Sequence, residues 1–128
     1  MAITQIRPTK LELSILNVLW QSGPATVREI HATVNESKPT AINTVLRMLQ
    51  IMTEKALVTR DDTVRPQIYR ARYSQQQTQT HLIKDLIQRA FDGSVKEMVM
   101  RALSTRKPSP KTLKAMEKLL EKFEGDSK

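Results

Sequence analysis

Between Thr9 and Ala71 the apolar residues change their period once, and that change constrains the fold more than any other feature of the 128-residue chain. Leu11, Ile15, Leu16, Leu19 and Trp20 recur at intervals that keep them on one helix face. Thr9 and Glu12 precede them at capping-box spacing, Pro8 discourages an earlier start, and Gly23-Pro24 ends the run. Thr26 and Glu29 repeat the capping box ahead of Val27, Ile30, His31 and Val34. The polar stretch Asn35-Glu36-Ser37-Lys38 reads as a turn, and Pro39 suits the first turn of a helix. A third helix is expected from about Thr40 to Lys55, with Ile42, Val45, Leu46, Leu49 and Met52 facing inward. From Leu57 the period falls to two. Leu57-Val58-Thr59-Arg60 reads as a strand, Asp61 to Pro66 as a polar turn, and Gln67 to Ala71 as the returning strand. Three short helices followed by a hairpin is the layout of a winged helix-turn-helix.

After Tyr73 the helical period returns. Leu82, Ile83, Leu86, Ile87, Ala90 and Phe91 share a face of a helix from about Gln75, which Asp92-Gly93 ends. Ser94 and Glu97 form a third capping box before Val95, Met98, Val99, Ala102 and Leu103. Arg106-Lys107-Pro108 is a linker, Ser109 a cap and Pro110 a first helical residue, and the tail from Glu124 is expected to fray. In the last helix Leu113, Met116, Leu120 and Phe123 follow a heptad-like spacing. A short helix at the end of a small chain has little of its own domain to bury against. The stripe therefore points to a partner helix, most simply from a second copy, with Leu82, Leu86 and Val99 in the same interface. Packing back onto the chain's own fourth helix is the alternative. The fold class expected is mainly α with a small β-hairpin wing: a winged helix-turn-helix over residues 1–73 and a helical dimerisation region over 74–128.

Charge gives the first part a partner. The formal net charge is +8. Residues 1–73 carry seven Arg and three Lys against six acids; residues 74–128 carry three Arg and eight Lys against seven. Arg presents a planar fork suited to phosphates and guanine edges, whereas Lys is a hydrated point charge. A basic domain of this layout fits a polyanion such as double-stranded DNA, although a solvated basic surface would carry the same charge. The outward residues of the third helix are Thr40, Ala41, Asn43, Thr44 and Arg47. Asn pairs with adenine, Arg with guanine, and the Thr methyl meets a thymine methyl; Lys38 and Thr40 can reach phosphates. In the hairpin Arg65 lies near the tip, where a wing meets flanking DNA, and Arg60 and Arg70 flank it. Strand arginines also serve as edge protection.

Other chemistries find no support in the sequence. There is no cysteine, hence no disulfide, thiolate metal site or cysteine nucleophile. His31 and His81 are far apart, with no ligand spacing beside either. There is no Gly-rich phosphate loop and no nucleophile motif, so neither catalytic residues nor a cofactor or metal is expected. No apolar run approaches membrane-spanning length, the N-terminus lacks a signal-peptide core, and a cytoplasmic protein is expected. Two functional readings remain: a sequence-specific DNA reader, and a winged-helix module for protein contacts whose basic face is incidental.

The chain resembles the penicillinase-repressor family over nearly its whole length. The matching segments are Thr9-Lys-Leu-Glu-Leu-Ser-Ile-Leu-Asn-Val-Leu-Trp20, Ala25-Thr-Val-Arg-Glu-Ile30, Asn43-Thr-Val-Leu-Arg-Met-Leu49, Lys55-Ala-Leu-Val58, Tyr69 and Phe91-Asp-Gly-Ser94. The resemblance implies a homodimeric winged-helix repressor that binds a dyad operator, with Asn43, Thr44 and Arg47 in the recognition helix and Arg65 in the wing. It also implies control of β-lactam resistance or copper handling. In the resistance branch, a membrane sensor-peptidase triggers cleavage within the C-terminal helices. This chain departs from the family pattern in several places. Ala56 stands where Gly often follows the Lys, Ile51 where Arg is usual, and Arg47 where a smaller polar residue is common. The Cys-x-Cys motifs of copper sensors are missing. Arg101-Ala102 occupies the place of the cleavable Asn-Phe bond.

Overall fold

The computed structural model describes residues 7–126, with side chains described to residue 123. The chain divides into two compact units, with the boundary between Asp85 and Leu86. The first unit holds α1 (Lys10–Ser22), α2 (Val27–Ser37), α3 (Ile42–Glu54), β1 (Val58–Asp61), β2 (Ile68–Ala71) and the start of α4 (Gln75–Ala90). Both capping boxes expected in this unit are present: the Thr9 and Thr26 hydroxyls accept from the amides of Glu12 and Glu29, and each Glu carboxylate accepts from its cap's amide. Another, not expected from the sequence, opens α4. The Ser74 hydroxyl accepts from the Gln77 amide at 3.0 Å while the Gln77 side chain accepts from the Ser74 amide at 2.9 Å.

The core of this unit is aliphatic. Ile15, Leu16 and Leu19 of α1, Ile30 and Val34 of α2, and Val45, Leu49 and Met52 of α3 close on Leu57, Val58 and Tyr69 of the hairpin. Burying each large member is worth about 1.5–3 kcal/mol. The strands pair antiparallel with Val58 opposite Ala71 and Arg60 opposite Tyr69. Ala25, in the α1–α2 connection, exchanges two backbone hydrogen bonds with Tyr69 and so bridges a third segment to the outer edge of β2. The Trp20 indole N–H donates to the Tyr73 carbonyl at 2.9 Å, tying the exit of the wing to α1.

Three boundaries and the burial of two residues differ from expectation. Asn35 to Ser37 are the last turn of α2, not a turn, and Lys38 to Ala41 make the connection instead. The Asn35 carboxamide oxygen accepts from the Thr40 amide at 2.8 Å, so Asn35 caps the connection from within the helix. α3 accordingly starts at Ile42, and Pro39 and Thr40 precede it. Ile42 and Leu46, expected inside, are exposed. The expected fray begins too early, since α6 (Pro110–Asp126) continues past Glu124.

The second unit holds the end of α4, α5 (Val95–Thr105) and α6. Asp92 and Gly93, both at positive φ, terminate α4. The box at Ser94 is half formed. Its hydroxyl accepts from the Glu97 amide, but its own amide donates to the Phe91 carbonyl, leaving no donor for the Glu97 carboxylate. Ser109 caps α6 by accepting from the Thr112 amide, as expected. From Leu86 to Phe123 no described side chain is buried.

Candidate nucleic-acid interface

The site is built on the connection between α2 and α3. Three side chains hold that connection through Thr40. Asn35 takes its amide, the Thr40 hydroxyl donates to the Lys38 carbonyl at 2.8 Å, and the Thr40 carbonyl accepts from His31 Nε2 at 2.7 Å. A carbonyl only accepts, so Nε2 carries the proton in this contact. Thr40 is thus a structural member of the turn rather than an outward helix residue. Lys38, Asn43, Thr44 and Arg47 are all exposed, the last three on one side of α3 opposite Val45, Leu49 and Met52. That arrangement leaves an amide, a hydroxyl and a guanidinium free on a helix whose other face is locked into the core.

α3 is held at its far end as well. The Lys55 backbone amide donates to the Ile51 and Thr53 carbonyls at the helix C-terminus, and its ammonium pairs with Glu12 of α1, whose side chain is 2 % exposed. The carboxylate also accepts from the Thr9 amide at 2.8 Å, so both of its oxygens have partners. On the flank of α3 a groove of about 1050 Å³ runs between α1 and the α2–α3 connection. Lys10, Ser14, Asn17, Lys38, Thr40 and Thr44 are among its lining residues, and no acid is.

In the wing Arg60 and Arg65 differ. Arg60 Nε donates to Asp62 at 2.7 Å, and this bond, followed by one to the Tyr69 hydroxyl, raises its pKa. A phosphate would have to displace Asp62. Arg65, at the tip and exposed, has no partner among the described residues. The tip is shaped by Asp61, which accepts from the amide and hydroxyl of Thr63, and by Asp62, which accepts from Gln67. The Arg72 guanidinium lies over the Tyr73 ring, 5.5 Å from its centroid.

The sequence profile of the penicillinase repressor matches residues 8–122. The chain belongs to the penicillinase repressor family. No curated protein matches it. A role in repressing transcription, not in catalysis, follows from membership of the penicillinase repressors. Among the described residues no cluster of His, Asp and Glu is placed to hold a metal ion, and no helix is long and apolar enough to cross a membrane. Ala56, where the resemblance leads one to expect glycine, has φ +62°, the left-handed conformation in which glycine carries no steric penalty.

The expected dimerisation residues all lie on α4, α5 and α6. Leu86, Val99, Leu113, Leu120 and Phe123 are exposed, and Leu82 and Met116 are half-buried. Leu119 and Met100, which are not among the expected dimerisation residues, are also exposed, at 53 % and 61 %. Sequence reasoning missed His31 and Glu12 as supports of α3. The Thr9–Glu12 spacing accounts for Glu12 locally, and nothing local signals its contact with Lys55, 43 residues away.

Proposed function

We propose that this penicillinase repressor is a sequence-specific reader of double-stranded DNA that acts as a homodimer on a dyad-symmetric operator. The winged helix reads, and the helices that follow it pair two copies. The observation that carries the reading is the exposed group Asn43, Thr44 and Arg47 on a helix fixed from behind by the core and at both ends by His31–Thr40 and Glu12–Lys55 contacts. Asn and Arg are the side chains that pair bidentately with adenine and guanine. Lys38 and Arg65 supply flanking phosphate contacts, and Arg60 joins them on releasing Asp62. The winged-helix region extends to about residue 73 and the dimerisation region occupies 74–128.

Dimerisation is supported by the second unit's exposed apolar side chains, which include Val95, Leu113, Leu120 and Phe123. An apolar surface of this kind is unfavourable in water and is removed by a second copy. The operator then mirrors the twofold axis of the protein. The membrane sensor-peptidase of the resistance branch is left out of this reading: Arg101 and Ala102 lie within α5 and do not resemble the cleaved bond.

Affinity selection tests the reading. The full chain is incubated with fragmented genomic DNA at near-physiological salt and the retained fragments are sequenced. A dyad motif with half-sites about one helical turn apart is expected. Retention without a motif would overturn sequence-specific binding and favour the protein-contact module. In parallel, Leu120→Asp is expected to give a monomer by light scattering and weaker operator binding, because an unpaired carboxylate is costly at an apolar interface. A variant that stays dimeric would remove the α6 stripe from the interface.

A further inference from the structure

Ile42 and Leu46 are 41 % and 37 % exposed on the helix that carries the reading group. Four residues apart, they project from one edge of α3, about 6 Å apart along its axis. Val45, Leu49 and Met52, fully buried, bound that edge on one side. Asn43 and Arg47, also four apart and exposed, bound it on the other. α3 therefore presents two parallel stripes to solvent, one apolar and one hydrogen-bonding. A branched apolar pair in this position is unfavourable in water unless something covers it. Its surroundings select what. Lys38 precedes it, Arg47 adjoins it, and residues 1–73 carry ten basic side chains against six acids. A polyanion with apolar groups on its recognition surface meets both requirements. The DNA major groove is such a surface, since thymine places a C5-methyl beside the hydrogen-bonding edges of its neighbours.

We propose that Ile42 and Leu46 read thymine C5-methyl groups in the operator, beside the hydrogen-bonding stripe of Asn43 and Arg47. The inference rests on the operator-binding reading above and adds to it the half of the recognition code that polar side chains cannot supply. The axial separation of the two residues is close to two base steps of about 3.4 Å, so each addresses a different base. Discrimination by Ile42 and Leu46 is then for T over C at two positions, independent of the purines read by Asn43 and Arg47.

The test removes only the methyl. A preferred duplex is selected from a random-sequence library with the full chain, and each thymine is replaced in turn by deoxyuridine, which keeps the base pair. At one or two positions per half-site the affinity is expected to fall about fourfold, the fold-change that burial of one methyl-sized group carries. Ile42→Ala and Leu46→Ala, at exposed positions, should each become indifferent to one of those replacements while keeping their preference at the bases read by Asn43 and Arg47. Replacing the paired cytosine-for-thymine variant with 5-methylcytosine should restore part of the lost affinity at the same positions. A selected motif whose binding tolerates deoxyuridine everywhere, or loses the same affinity in the parent and both variants, overturns the methyl reading and leaves operator binding standing. Failure to select any motif overturns both.

Discussion

The Lys55 ammonium donates to both carboxylate oxygens of Glu12, at 2.8 and 3.1 Å, and joins the end of α3 to the start of α1. The two partners are unequal. The Glu12 side chain is 2 % exposed and that of Lys55 38 %. Removing the cation strands a buried carboxylate; removing the carboxylate's charge leaves an ammonium that water can reach. Lys55→Met is therefore expected to lower stability by about 2–3 kcal/mol, and Glu12→Gln, which keeps an oxygen for the Thr9 amide, by only about 1 kcal/mol. The double variant should recover part of the Lys55→Met loss. Denaturant melts of the three proteins, followed by Trp20 fluorescence, check the order; equal losses would mean that Glu12 is hydrated.

His31 is expected to matter to DNA binding without touching DNA. Its bond to the Thr40 carbonyl fixes the entry to α3. His31→Ala should cost about 0.5–1.5 kcal/mol of stability and weaken operator binding further than that loss explains by population alone, because the fold remains and the turn loosens. His31→Gln, which can donate to the same carbonyl, should regain part of both. Binding isotherms at saturating folded protein separate the two effects.

Ala56→Gly is expected to stabilise the protein. Ala56 sits at φ +62°, where a Cβ costs about 1–2 kcal/mol, partly offset by the greater freedom of glycine in the unfolded chain. A net gain of about 0.5–1 kcal/mol should appear as a raised denaturant midpoint with unchanged slope. A loss would show that the position relies on the methyl group for packing.

Arg47 and Arg65 should separate base reading from backbone attraction. Arg47→Ala is expected to weaken operator binding by about 1–3 kcal/mol and relax preference at one base pair. Arg65→Ala should weaken binding to all sequences alike and reduce the salt slope by about 0.9. Arg60→Ala should change the slope less, since Asp62 already neutralises that guanidinium. Titrations across a salt series give all three values.

Acid should loosen the start of α2 and the wing tip together. The Thr26 amide and then its hydroxyl hold the Glu29 carboxyl below the ordinary 4.5. The Thr63 hydroxyl and then its amide hold the Asp61 carboxyl below 3.8. A folded pKa below the unfolded one means that the unfolded chain takes up protons first. The stabilisation is complete above the ordinary values and disappears as the pH falls through the lowered ones. Glu29→Gln should flatten the acid limb of a stability–pH curve below about pH 4.5, and Asp61→Asn below about pH 3.8.

Much of the molecule was legible because its signals are local. A Thr three residues before a Glu, a Gly-Pro break and a change of apolar period depend only on residues within a turn or two of each other, and α1, the α2 start and the hairpin followed from them. The same locality put Asn43, Thr44 and Arg47 on the exposed side of one helix. Tertiary structure decided the rest. Asn35 reaches forward to Thr40 and so keeps the end of α2 helical, which moves the start of α3 to Ile42. Ile42 and Leu46 fit an inward helical stripe by spacing, but the neighbouring elements cover only the arc containing Val45, Leu49 and Met52. Lys55 finds Glu12 across 43 residues. Sequence period determines which side chains share a face; which part of that face is buried depends on the width and position of the elements packed against it, and those are properties of the assembled fold.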